Sequence, residues 1–362
     1  ERIAIMGHSM GSGVALSYGV MNPDTRSTIA VSPVPRPVST SLPQNLLLMA
    51  GQFETPFIDN ANQILQQAGG EGGSHEDGTA RMFVEIPFVE HVTILFSPVA
   101  HRTALAWLNS TFGFQSTAQP YTDTRVVWWG LGILGTLLVA QSIALPQSKI
   151  NLSSNSTPSG WRRLLSLAAG SISATIILWL LGSLGVNFRS ILGLLVGGFL
   201  LIWFAVAGIT SWLISGMKPV LPSSREILSG LLVFCLLWLG IGLLTHYVWM
   251  NWWLVPKRLA LWPLGTALLF PWFLFVGTLV ASKTFITRFA WWISYSVLVA
   301  AGLLLALQLS TEISFLVLIL PLIPFILGLH ALAAMPQRGA WAFAVSGSMW
   351  VSWAFIAVFP LR

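Results

Sequence analysis

The feature that most constrains this chain is a succession of eight apolar stretches of about 20 residues. They run over approximately 126–145, 164–185, 190–215, 227–249, 260–282, 289–309, 313–333 and 340–359. A stretch of that length, wound as a helix, crosses a hydrocarbon core of ~30 Å. One alone would fit inside a soluble domain. Eight in a row, parted by short loops that hold most of the charge, would not. Of the 362 residues 55% are hydrophobic and 8% are charged, against roughly 25% charged in soluble domains. The expectation is an integral, multi-pass membrane protein whose first partner is the lipid bilayer.

The charge is split along the sequence. Residues 1–125 hold 6 Arg, no Lys and 10 acids, a net of −4, while 126–362 hold 12 Lys and Arg and two acids, Glu226 and Glu312, a net of +10. The basic residues sit between apolar runs rather than in a patch or stripe, which excludes a nucleic-acid surface. Their sidedness predicts topology. Lys149, Arg162, Arg163, Lys218, Arg225, Lys283, Arg288 and Arg338 fall on one side, and Arg125, Arg189, Lys257, Arg258 and Arg362 on the other. The richer side is expected in the cytoplasm, leaving residues 1–125 outside it. Trp128, Trp129, Trp249, Trp252, Trp253, Trp291, Trp292 and Trp341 gather at segment ends, which predicts interfacial aromatic belts.

Residues 1–113 read differently, as strands alternating with helices. "RIAIM", "TIAVSPV" (28–34), "NLLLMAG" (45–51) and "RMFVEIP" (81–87) are short buried-type strands. Helices are expected over 10–20, 57–69 and 97–113, the last with Ser97 as N-cap, Pro98 in its first turn and Gly113 as terminator. Such alternation predicts a parallel sheet in an α/β domain. Residues 114–125 read as a linker before a membrane domain over 126–362. The predicted fold class is thus α/β with a parallel sheet, followed by an all-α polytopic transmembrane bundle.

Gly7-His8-Ser9-Met10-Gly11 matches G-x-S-x-G, with a buried strand directly before it and a helix directly after. That context lifts a serine Oγ clear of a sheet on a sharp turn. Flanking glycines make room for neighbouring backbone, and the Met10 N–H at the helix start can donate to an oxyanion.

In "RIAIMGHSMGSGVAL", "NLLLMAGQFETPF" and "EIPFVEHVTILFS" the chain resembles the α/β-hydrolase fold, more loosely its dienelactone-hydrolase-like branch. The resemblance implies a triad ordered nucleophile, acid, histidine. Ser9 matches the nucleophile, and Glu54, in Gly51-Gln52-Phe53-Glu54, matches the acid position. Asp59, about a turn into the next helix, is the alternative acid. His91, after the last strand and before the last helix, matches the base. His101 competes, but shares a helix stripe with Leu105, Leu108 and Phe112 that reads as core-facing. His8 is expected to shape the pocket and His75 to be solvated. The implied activity is hydrolysis of a small or lipidic acyl ester through an acyl-enzyme. It calls for no cofactor or metal, and the single Cys235 makes neither a disulfide nor a Cys-based metal site.

The resemblance covers only the second half of the fold. The elbow strand begins at residue 2, and the first residue is Glu1. The reading is therefore of the C-terminal part of a longer protein. It expects an open sheet edge, half an oxyanion hole and a fragment that can be inactive. Two other functions stay open. One is a transporter or channel with a non-catalytic α/β appendage, because eight spans exceed what anchoring needs. The other is an acyltransferase using the same triad. His246, Glu312 and His330 are expected near the interfaces, and Pro263, Pro271, Pro321 and Pro324 are expected to kink their helices. Glycosylation acceptor patterns occur at 109, 151 and 155; the last two fall on the expected cytoplasmic side and read as chance.

Overall fold

The computed structural model describes residues 2–114, 121–142, 160–217, 221–248, 250–281 and 283–361. The patterns at 151 and 155, with Lys149, Lys218, Trp249 and Arg362, lie outside the described residues. The chain divides into two compact units, Glu1–Val126 and Val127–Arg362.

The first unit is a four-stranded, all-parallel sheet in the order β1 (Ile3–His8), β2 (Thr25–Val31), β3 (Leu46–Gly51), β4 (Arg81–Ile86). Helix α1 (Met10–Met21) connects β1 to β2, and α2 (Thr55–Gln67) connects β3 to β4. The strand period of two deals the apolar residues to both faces. Ala30, Leu46 and Leu48 pack with Leu16 of α1 and Ile64 of α2. Ile29, Val31, Leu47 and Met49 pack on the opposite face under Trp107 of α3 (Pro98–Phe112). Ser97 caps α3, its Oγ accepting the Ala100 N–H, and Gly113 ends it at φ 67°.

Strands β1 and β4 are the two edges of the sheet. Along α1, Met10, Val14, Tyr18 and Met21 are exposed, continuing a stripe that starts at Met6 of β1. The apolar stripe expected to bury His101 faces the core only in part: Leu108 packs against it and His101 is half-buried. Helix α3 buries Ala100, Ala104 and Trp107 instead, and Leu105 is exposed. The broad indole at 107 sets the inward face, and His101 falls to its flank.

Among the described residues eight helices are long and apolar enough to cross a membrane, all in the second unit but for the first two residues of the first: Arg125–Ser142, Gly160–Ser183, Gly197–Ser215, Ser224–Val248, Pro256–Val280, Phe285–Leu309, Leu316–Ala333 and Ala340–Val358. By length and composition this is the pattern of an integral, multi-pass membrane protein. The eighth span is the most enclosed and the first the least. Trp203, Phe204, Trp272 and Phe355 fill the centre and are fully buried. Small residues let the backbones close up. A Cβ on Gly208 would stand 2.3 Å from the Trp272 backbone nitrogen, and one on Gly277 would stand 2.5 Å from the Ala340 carbonyl.

Five expectations for the spans change. The third span starts at Gly197, because Leu192 and Val196 take left-handed φ of 59° and 61°. Breaks occur beside Pro263 and Pro321, where each proline sits at the start of a new helical piece, while Pro271 lies within continuous helix. The fourth span carries a π turn at Trp238–Gly242 where the sequence reads as plain helix. His330 is fully buried rather than interfacial: its Nε2 pairs with the Ser346 Oγ at 2.9 Å, and its ring lies against Phe273 and Phe343. Trp252 likewise leaves the expected belt. It packs on Trp350, and its carbonyl accepts the Trp353 indole N–H.

Candidate active site

Every residue of the candidate site stands just beyond the C-terminal end of a parallel strand, where an α/β sheet leaves its crevice. Ser9 follows β1 at φ 55° and ψ −124°. Non-glycine residues rarely take such angles, at a cost of order 1–3 kcal/mol. Local bonds hold it there. The Ser9 N–H donates to the Val31 carbonyl at 2.9 Å, and the Ser9 carbonyl accepts both the N–H (2.9 Å) and the Oγ–H (2.5 Å) of Ser12. A Cβ on Gly7 would stand 2.1 Å from the Gly11 carbonyl oxygen, so Gly7 is what lets α1 close over β1. Gly11 differs from the expectation. A Cβ there meets nothing within 4 Å, and its contribution is the backbone that Gly7 approaches.

Glu54 follows β3 and precedes α2. It is buried, and its carboxylate is saturated with donors. Oε2 accepts the Gly51 N–H at 2.7 Å and the Ser32 hydroxyl at 2.9 Å, and Oε1 faces His91 Nδ1 at 2.5 Å. Ser32, at φ 48°, ends β2 and is fully buried. Gly51 is needed at its position, since a Cβ would meet the Val89 carbonyl at 2.6 Å.

His91 lies on the loop after β4, which is fastened on both sides. Phe88 donates its N–H to Gln52 Oε1 at 3.1 Å, and Phe53 donates its N–H to the Val89 carbonyl at 3.2 Å. The Glu90 carboxylate accepts the N–H groups of Val92 and Thr93 and starts the short 3₁₀ turn Thr93–Phe96. The imidazole stacks on Phe57 with centroids 4.6 Å apart. Its Nε2 is 2.9 Å from Ser9 Oγ. With Nδ1–H donated to the carboxylate, Nε2 is the acceptor for the serine hydroxyl.

His8 donates its Nε2–H to the His91 carbonyl at 2.8 Å. Burial, then the neighbouring His91 ring, lowers its pKa to about 4. It is therefore neutral at neutral pH and acts on the backbone of the base rather than on its ring nitrogens.

Of the residues read from sequence, the structure brings Ser9, His91 and Glu54 into one hydrogen-bonded line and sets His8 beside it. Asp59 is exposed on α2. The His101 Nε2 pairs with the Leu95 carbonyl at 2.9 Å, away from Ser9. His75 is not simply solvated: Nδ1 pairs with Thr111 Oγ1 at 3.1 Å, the ring lies edge-on to Trp107, and burial lowers its pKa. Sequence reasoning missed Ser12, Ser32 and Phe57. The Ser-Pro pair at 32–33, directly after an apolar strand, was the available signal for Ser32. No protein-family model, curated protein or solved structure matches this chain.

Proposed function

We propose that this chain carries a membrane-anchored serine hydrolase, acting on an acyl ester through an acyl-enzyme, in an α/β-hydrolase-like unit. The observation that carries the reading is the unbroken line Glu54–His91–Ser9, with 2.5 Å and 2.9 Å between successive partners. In that chemistry Ser9 Oγ attacks the ester carbonyl as His91 Nε2 takes its proton. His91 then returns the proton to the leaving alcohol, and water releases the acyl group by the same route. Glu54 holds the imidazole tautomer and stabilises the imidazolium. The Met10 N–H, first in α1 and without an intrahelical acceptor, supplies one oxyanion donor. The loop-charge bias supports an extracytoplasmic position for this unit.

The transport reading is weaker. Among the described residues, fully buried indole and phenyl rings, those of Trp203, Phe204, Trp272 and Phe355, pack together in the bundle.

The test is covalent labelling by a fluorophosphonate probe of the chain in membranes, beside its Ser9→Ala variant. Labelling of the parent alone supports the reading. Equal labelling of both, or of neither, sinks it. Product analysis with water and alcohol acceptors separates hydrolysis from acyl transfer.

A further inference from the structure

The second unit has a cavity of about 240 Å³ at one end of the bundle. Its walls come from the last turns of the second span, with Trp179 and Ser183, from Phe188 in the loop that follows, and from Ser310, Thr311 and Glu312 after the sixth span. Three features agree on what it would hold.

The first is charge. Glu312 is one of two acids in residues 126–362, and the other, Glu226, is committed to a capping box on the fourth span. No described residue forms a salt bridge with Glu312, and the described lining contains no Lys, Arg or His. The second is backbone polarity. The second and sixth spans both end at the cavity, at Ser183 and Leu309, so two helix C-termini bring partial negative charge to it. The third is aromatic surface. Trp179 is half exposed in the wall, and Phe188 is fixed by an edge-to-face contact with Phe199 at 5.7 Å. Aromatic faces attract organic cations, most strongly where water is thin. One carboxylate and a few hydroxyls are too few side-chain ligands for calcium, which takes 6–8 oxygens. Together with aromatic walls they suit an ammonium group on carbon.

We infer that this cavity is a binding site for an alkylammonium group, with Glu312 as its counter-ion and Trp179 as its aromatic wall. The inference is independent of the Ser9 chemistry. The same group occurs on free amines and on zwitterionic lipid headgroups.

The probes are choline and its neutral isostere 3,3-dimethylbutanol, followed by saturation-transfer NMR on the full chain in maltoside detergent. Choline should show transfer and the isostere should show none. Glu312→Gln and Trp179→Ala should each weaken choline binding about tenfold or more, which is ~1.4 kcal/mol, and Glu312→Asp should retain most of it. Thermal unfolding of each variant at the parent's temperature shows that loss of binding is not loss of fold. If nanodiscs of phosphatidylcholine displace choline and those of phosphatidylglycerol do not, the site takes a lipid headgroup. If neither displaces it, the site takes a free amine. No transfer to choline, equal transfer to the isostere, or unchanged binding in Glu312→Gln overturns the inference.

Discussion

His8 donates its ring N–H to the carbonyl of His91, so the residue before the elbow serine clamps the backbone of the residue that would activate it. Burial disfavours the charged form of His8, and the His91 ring, 4.7 Å away, adds to that. The folded state therefore resists protonating His8, and its pKa falls to about 4. The unfolded chain takes up that proton near pH 6.5. Between those values the unfolded state binds more protons, so stability is complete above about pH 6.5 and is lost as pH falls toward 4. The effect is on the order of 2 kcal/mol after allowance for partial exposure. His8→Asn keeps a donor and removes the titration. Its unfolding temperature should change less than the parent's across this window; parallel slopes would refute the assignment.

Glu54 is held by three donors, so its two replacements should differ. Glu54→Gln keeps the shape but presents the wrong partner to His91 Nδ1–H, and turnover should fall about 10³–10⁴-fold with little change in unfolding temperature. Glu54→Ala leaves the Ser32 hydroxyl and the Gly51 N–H buried without an acceptor. It should also destabilise the unit by roughly 1–3 kcal/mol. Ester-hydrolysis assays and thermal unfolding on the same preparations read both quantities.

Phe53, Phe88 and Met10 are exposed by 66%, 83% and 53%, and each lies just past the C-terminal end of a strand in the sheet that carries Ser9. Such a rim suits the apolar part of an acyl ester. Phe53→Ser with Phe88→Ser should lower kcat/KM for octanoyl esters about tenfold, which is ~1.4 kcal/mol of lost burial, and leave acetyl esters unchanged. An equal fall for both esters would mean that the two rings support the loops rather than the substrate.

Arg288 is buried in the bundle and satisfied by backbone alone. Its guanidinium donates to the carbonyls of Val280 (3.1 Å), Ala334 (3.3 Å), Met335 and Gln337, closing the ends of the fifth and seventh spans together. Arg288→Met should destabilise the bundle in detergent by about 3 kcal/mol, since several carbonyls lose their donor. Arg288→Lys should not rescue it, because one ammonium cannot reproduce the planar fork. Unchanged unfolding of the methionine variant would show that water replaces the guanidinium.

What the sequence disclosed follows from how local each signal is. Apolar runs of span length and strands ended by glycine depend on neighbouring residues, so all eight spans and all four strands were legible. Ser9 announced itself because its elbow is built within five residues. Ser32 did not, because its role exists only once β2 lies beside β3 and brings its hydroxyl to Glu54. His330 and Trp252 were misplaced for the same reason. Position along a helix shows distance from the bilayer edge, not which neighbouring helix covers the side chain. The π turn at Trp238–Gly242 also escaped, since its neighbours include residues far away in sequence: a Cβ on Gly240 would stand 2.5 Å from the Thr136 hydroxyl.

The angles of Ser9 carry one more consequence. Its φ of 55° with ψ of −124° lies where glycine is at ease and serine is not. Random substitution selected for heat resistance alone should therefore arrive at Ser9→Gly, a chain that melts later and, on the proposed reading, has lost its nucleophile. On that reading endurance and reactivity compete for a single codon.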